Sequence, residues 1–460
     1  MARRTLVPAI AAITLATATG CASTDARPAF DATAQLAEAR VGKRARWLSS
    51  SEEDEAARKE TARLLAGELD ADGAVAVALL QNRTLQAEYE ELGVAQADLV
   101  QAGLLKNPRL SGGWLFPLDP GHVAMIPADF TMSFVELLAL SSRKKIATAQ
   151  LEHERYRVAD EVVRHATATK VAYYTYVAAA QTWAMRQVVL EAAQASVELA
   201  RKQNEAGTRN DLALSNEEAL FAQVSLDVVR ARGELASARE QLVRRMGLYG
   251  PQVAFKVAAK LPEMPAAEPP VDHVETLAVR RRLDVLAARK DVEAVSYAVS
   301  LARGMRVLPG LEAGVGFERK PEGIRVLGPT ASVELPIFDQ GQANVARAEA
   351  ELRRAEAREA SVAIDARSEA REARARLLAA RDVVTLYRTK LVPVRERVVA
   401  LSQQQYDAML LGVFQLLAAK QAEITAYKEL IEALRDYWIA RAELERAAGG
   451  PLEEKKEAKR

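Results

Sequence analysis

Two uninterrupted helical runs, 141–206 and 342–411, limit what this chain can fold into more than any other feature. The first holds neither Gly nor Pro; the second holds one proline, Pro393. At 1.5 Å rise per residue, about 60 helical residues make a rod of roughly 90 Å, far beyond the 8–20 residues of an ordinary globular helix. Each run follows a short segment of alternating hydrophobicity and ends near a glycine, Gly207 or Gly412. A rod with one apolar stripe needs a partner, and the segments after each glycine read as antiparallel return helices. Ala-rich faces such as Ala346, Ala348 and Ala350 permit close, coiled-coil-like approach. Pro393 predicts a kink or local unwinding in the second rod.

The segments that precede the rods change period from 3.6 to 2. In 110–116, Leu110, Trp114 and Phe116 occupy alternate positions; in 130–134, Phe130, Met132 and Phe134 alternate with Thr131 and Ser133. The pattern returns as Leu311, Ala313, Val315 and Phe317 against Glu312 and Glu318, and as Ala331, Val333 and Leu335 against Ser332 and Glu334. Four short strands, apolar on one side, are therefore expected. Two readings of them stand. In one they form a soluble sheet packed on helices. In the other they enter a membrane, pooled between chains because four strands cannot close a barrel and lipid tolerates no open edge. In that second reading Trp114, Phe116, Phe130, Phe134 and Phe317 form the membrane belt, and Ser111, Thr131, Ser133, Glu312, Glu318, Ser332 and Glu334 face a wet lumen.

The two halves repeat one unit: helix, strand, strand, long helix, turn, return helix. Pro108 to Phe116 matches Pro309 to Phe317 at its Pro, Leu, Gly and Phe positions, and Val135-Glu136-Leu137 matches Val333-Glu334-Leu335. The resulting division is a signal peptide over 1–20, an N-terminal arm with little core over 21–72, a first repeat over 73–250, a Pro-rich connector over 251–274, a second repeat over 275–450 and a charged tail over 451–460. Within the first repeat one helix is expected from Ala74 to about Lys106.

The single cysteine, Cys21, excludes a disulfide within the chain. It closes Ala18-Thr19-Gly20-Cys21, directly after a basic n-region and a short apolar stretch, and this resembles a bacterial lipobox. Cys21 is thus the expected lipidation site, with Ala22 after it pointing to the outer membrane. The charge is balanced, 63 basic against 62 acidic residues, which argues against nucleic acid as a partner. The histidines His122, His153, His165 and His273 are scattered, none at metal-ligand spacing. No acid, base and nucleophile assemble into a catalytic pattern, so neither an enzyme nor a cofactor or metal site is expected.

Three stretches carry a family resemblance: Ala102-Gly103-Leu-Leu-Lys-Asn107-Pro108, Glu334-Leu-Pro-Ile-Phe-Asp-Gln-Gly-Gln-Ala343, and the terminal region with Arg435-Asp436-Tyr437-Trp438. On these the chain resembles the TolC family of bacterial outer-membrane efflux channels. The resemblance implies a mainly α fold with a small membrane β part, a homotrimer with a trimeric α-helical tunnel, and a twelve-stranded β-barrel shared by the three chains. It also implies a periplasmic membrane-fusion adaptor and an inner-membrane pump of the resistance-nodulation-division or ABC type. The adaptor-docking tips that it implies are Gly207, Thr208, Arg209 and Asp211 on one hairpin and Gly412, Val413 and Phe414 on the other. The expected function is passive efflux of drugs or heavy metals. A type I protein-secretion channel on the same fold, and a periplasmic structural lipoprotein tether, are the alternatives.

Overall fold

The structure, a computed structural model, describes residues 23–118, 120–269, 272–306 and 310–452. The signal peptide, Cys21, Pro309 and all but the first two residues of the charged tail lie outside the described residues. The order of elements is α1 (Arg27–Val41), α2 (Ser51–Leu65), β1 (Glu68–Leu69), α3 (Ala71–Gln81), α4 (Arg83–Ala102), β2 (Arg109–Gly112), β3 (Ile126–Ser133), α5 (Val135–Glu205), α6 (Asp211–Met246), β4 (Lys256–Val257), α7 (Val274–Arg281), α8 (Leu283–Met305), β5 (Leu311–Arg319), β6 (Arg325–Val333), α9 (Gln342–Leu386), α10 (Val392–Asp407) and α11 (Val413–Ala447). Two compact units result: 91–154 and 290–355, with the first residues, make one, and 30–90, 155–289 and 356–460 make the other.

The first unit holds a four-stranded antiparallel sheet in the order β2-β3-β5-β6. All four strands attach to helices at one end of the sheet, and the loops 113–125 and 320–324 lie at the other. Near the helix end, Glu136 takes ion pairs from Lys106 and from Arg143, the latter at 2.7 Å, and Arg303 pairs Glu349 at 2.6 Å.

The second unit holds the main core. Tyr173, Val177, Leu242, Met246, Leu377, Tyr437 and Leu444 are buried together between the long helices. The N-terminal arm has more core than expected. Phe30 of α1 is buried and packs on Trp47 and Tyr89 at 5.6 and 5.1 Å, and the Trp47 indole N–H donates to Glu90. Nor is the Pro-rich segment a free connector. Its β4 pairs in parallel with β1, and Glu268 accepts hydrogen bonds from the Tyr437 hydroxyl and from Arg381. Trp438 Nε1 donates to the Pro262 carbonyl at 2.9 Å. Prolines remove backbone donors, so side chains of the neighbouring helices supply the bonds that hold this strap.

The helix expected from Ala74 is divided at Asn82. That residue is extended (ψ 114°), and its Oδ1 accepts from the N–H groups of Thr84 and Leu85, capping α4. Arg282 (ψ 133°) divides α7 from α8 in the same way. The long helix α5 begins at Val135, six residues before the expected start, and continues for 71 residues. Its counterpart is interrupted just before Pro393 by a π turn, Tyr387–Leu391. Pro393 has no N–H for the carbonyl four residues back, and the wider turn absorbs that missing bond.

Candidate functional site

The strand register sorts the sheet into two faces. Leu110, Phe130, Val315 and Pro329 stand side by side, with rows through Met132-Ala313-Ala331 and Ala128-Phe317-Leu327 on either side. Leu311 and Val333 extend this face toward the helices, and Phe134 joins their row through its N–H bond to the Leu311 carbonyl. On the opposite face lie Ser111, Asp129, Thr131, Ser133, Glu312, Glu318 and Ser332, with Gly314, Gly316 and Gly328 between them. The apolar face is not covered: Val315 is 46% exposed, Leu327 72% and Leu110 77%. Gly314 is obligatory, since a Cβ there would stand 2.2 Å from the Phe130 carbonyl oxygen.

Two residues expected in the belt lie outside the strands. Trp114 and Phe116 sit in the β2–β3 loop, because β2 ends at Gly112 and not at Phe116 as the alternation suggested. The cause is Pro127. Gly113 donates to the Pro127 carbonyl, but Pro127 has no N–H to return the bond, so the ladder lapses and resumes as the isolated Leu115–Met125 bridge in the same register. Trp114 therefore remains in line with Ile126 on the apolar face. The motif Glu334 to Gly341 is a loop, whereas in the first repeat α5 starts two residues after β3. Its Phe338 is 93% exposed, an apolar residue that the alternation pattern did not reach.

The second candidate site is the pair of hairpin turns. After α5, Gly207 adopts φ 73°; Thr208 N–H reaches the Gln203 carbonyl at 2.9 Å and Gly207 N–H reaches Asn204 at 2.8 Å, a Schellman closure. Arg209 is turned inward. It pairs at 3.3 Å with Glu217, which is buried and also accepts from Ser196. Asp211 accepts from Asn204, and Asn210 caps α6. Arg209 and Asp211, both expected at the adaptor-docking tip, bond within the hairpin, and Asp211 remains exposed. Thr208 is exposed, as is Leu212.

The second turn closes the same way with different residues. Leu410 N–H bonds the Gln405 carbonyl at 2.8 Å and Met409 N–H bonds Tyr406 at 2.9 Å, so the left-handed position belongs to Met409 (φ 62°). Gly412 is extended (φ −73°, ψ 154°) and occupies the N-cap of α11. Met409 is thus the counterpart of Gly207, and Gly412 the counterpart of Asn210; matching glycine to glycine misplaces the second turn by three residues. Met409, Leu410 and Phe414 are exposed, while Val413 is half-buried.

Among the described residues no helix is long and apolar enough to cross a membrane, and no group of His, Cys, Asp and Glu could hold a metal ion. Residues 276–450 match the family model described as outer membrane efflux protein. No curated protein sequence matches the chain. The fold is similar to that of the Campylobacter jejuni CmeC outer membrane channel (TM-score 0.72, 15% identity, 83% of this chain and 85% of that one). It is also similar to the outer membrane protein VceC of Vibrio cholerae (0.70, 16%, 83% and 97%) and to a membrane protein of Pseudomonas aeruginosa (0.69, 19%, 85% and 93%). The second repeat thus matches the outer membrane efflux protein family, and the fold over most of the chain is similar to that of outer-membrane channels.

Proposed function

We propose that three copies of this chain form the outer-membrane conduit of a tripartite exporter. Each copy contributes four strands to a closed barrel, and the helices form the passage below it. The path is passive, and energy comes from an inner-membrane pump of the resistance-nodulation-division or ABC type, linked by a periplasmic adaptor. The cargo is drugs or heavy-metal ions, and Cys21 carries the lipid anchor. The adaptor meets the hairpin turns through Thr208, Leu212, Met409, Leu410 and Phe414, the side chains that those turns leave exposed.

One observation carries this reading: the sheet has an uncovered apolar face and two unpaired edges, β2 and β6. A water-soluble sheet would bury that face, and lipid would forbid those edges unless neighbouring copies paired them. Strands of nine residues, as in β5 and β6, suffice for a tilted crossing, which takes about 9–11 residues. A tether with a soluble sheet leaves the same face bare in water.

The test is single-channel conductance of the detergent-purified protein in a planar bilayer, with its mass measured on the same sample. A trimer with discrete conductance steps is expected. A monomer that stays in solution without detergent once its acyl chains are removed would establish the tether instead. A silent trimer that conducts after the Met409 turn is loosened by inserted glycines would still be the channel, shut at its tip.

A further inference from the structure

The apolar face ends in a pair of like charges. Arg319 and Arg325 are direct cross-strand partners in the last row of β5 and β6, at the loop end of the sheet. Lys320 N–H bonds the Ile324 carbonyl, so Lys320–Ile324 is a hydrogen-bonded pair and the adjacent Arg319–Arg325 pair is not. Non-bonded pairs bring side chains closest, with Cα atoms about 4.5 Å apart. Like charges directly opposite are destabilising. Even so, neither guanidinium has an ion pair or a side-chain hydrogen bond among the described residues, and Arg319 Nε is shielded from water while donating to nothing. The nearest carboxylates in sequence do not relieve the pair: Glu318 belongs to the opposite face, and Glu322 lies in the hairpin turn without an ion-pair partner.

The same row continues through Ile126 to Trp114 on the apolar face. An indole at one end and two guanidiniums at the other, directly above Phe317 and Leu327, is the chemistry of a membrane boundary. Arginine rather than lysine fits a planar, bidentate hold on phosphate oxygens.

From this geometry we infer a lipid site: Arg319 and Arg325 together grip the phosphate group of an outer-leaflet lipid, with Trp114 and Ile126 against its acyl-chain boundary. The inference rests on the barrel reading above, which places the loop end of the sheet at the outer leaflet. The bound phosphate offsets the repulsion within the pair and gives Arg319 Nε an acceptor. The occupant is a phosphorylated glycolipid headgroup of the lipid A type, not free phosphate.

The test uses the full acylated protein in neutral detergent, with binding of bis-phosphorylated and dephosphorylated lipid A measured by native mass spectrometry. Trimer mass and conductance are recorded from the same preparation. The wild type is expected to prefer the phosphorylated lipid by about tenfold, which corresponds to about 1.4 kcal/mol. Arg319→Gln with Arg325→Gln should abolish the preference while conductance and trimer mass stay unchanged. Arg319→Lys with Arg325→Lys should keep part of it. A conducting trimer with no preference, or a preference that survives the double glutamine variant, overturns the lipid site and leaves the channel standing. Displacement of the lipid by millimolar inorganic phosphate overturns the choice of occupant. Absence of both trimer and conductance overturns the barrel reading and this inference with it.

Discussion

Gly247 and Asn82 meet backbone to backbone. A Cβ added to Gly247 would stand 2.8 Å from the Asn82 Cα, and the Asn82 side-chain Nδ2 donates to the Arg245 carbonyl at 3.0 Å. The second repeat has the same arrangement: a Cβ on Gly449 would stand 2.8 Å from the Arg282 nitrogen. Both glycines have positive φ, 72° and 80°, at the ends of α6 and α11. In each repeat the return helix thus ends against the break that divides the entry helix. The break frees the backbone surface, and the glycine permits the approach.

Gly247→Ala and Gly449→Ala should each destabilise the chain by about 2–4 kcal/mol, the sum of left-handed strain and a backbone clash that cannot relax. Thermal or urea unfolding reads the loss. Gly233, whose added Cβ meets nothing within 4 Å, is the control; changing it to Ala should be neutral or stabilising.

Met409→Gly should stabilise the second hairpin, because a non-glycine residue at φ 62° costs about 1 kcal/mol that glycine does not incur. Slower amide exchange across α10 and α11 is the expected readout. Gly412→Ala, at an extended position, should cost only a few tenths to about 1 kcal/mol. The reverse ranking would mean that Gly412 holds the reversal.

Asp160 has its pKa pushed up from 3.8 to about 6, first by burial and then by the Asp284 charge, against the pull of Arg164, Arg282 and Arg446. The folded chain therefore holds this proton over a range where the unfolded chain has released it. Stability contributed by the group is complete below about pH 4 and is lost as pH rises through 6. Asp160→Asn should flatten that dependence and stabilise the protein at pH 7.5 by about 1–3 kcal/mol. Unfolding midpoints between pH 4 and 8 check it. A variant curve parallel to the wild type would assign the dependence to other groups.

Arginine placed on the two faces of the sheet should act differently. Val315→Arg, in the middle of the apolar face, should cost about 2–4 kcal/mol in lipid and deplete the assembled membrane form. Ser332→Arg, on the polar face, should assemble normally. Heat-modifiable trimer in isolated outer membranes is the measurement; equal tolerance of both would remove lipid from the apolar face.

Glu217 is buried and its partner Arg209 largely so, and Glu217→Ala leaves the guanidinium without its carboxylate. The first hairpin should lose about 3 kcal/mol locally, seen as faster exchange over 196–217 while the core of the same unit is unchanged. Substitution of exposed Leu212 by Ala should leave exchange unaltered.

The sequence by itself determined the periodic parts. Two long rods, four alternating strands and a duplicated order follow from where apolar residues recur, since burial of one face is a local property of spacing. It also separated the two faces: every strand residue assigned to belt or lumen lies on the face its alternation indicated, because period 2 leaves no other choice. Only the tertiary structure decided the rest. That β2 stops at Gly112 depends on Pro127, fifteen residues away across the ladder. That Met409, and not Gly412, reverses the second hairpin depends on which N–H groups reach the last carbonyls of α10, those of Gln405 and Tyr406. That the Pro-rich segment is a packed strap depends on donors from helices more than a hundred residues distant, such as Arg381 and Trp438. The Arg319–Arg325 pair is six residues apart in sequence and becomes a pair only when the hairpin sets its register. Spacing determines which side chains share a face; which of them meet is decided by partners that other parts of the chain bring to them.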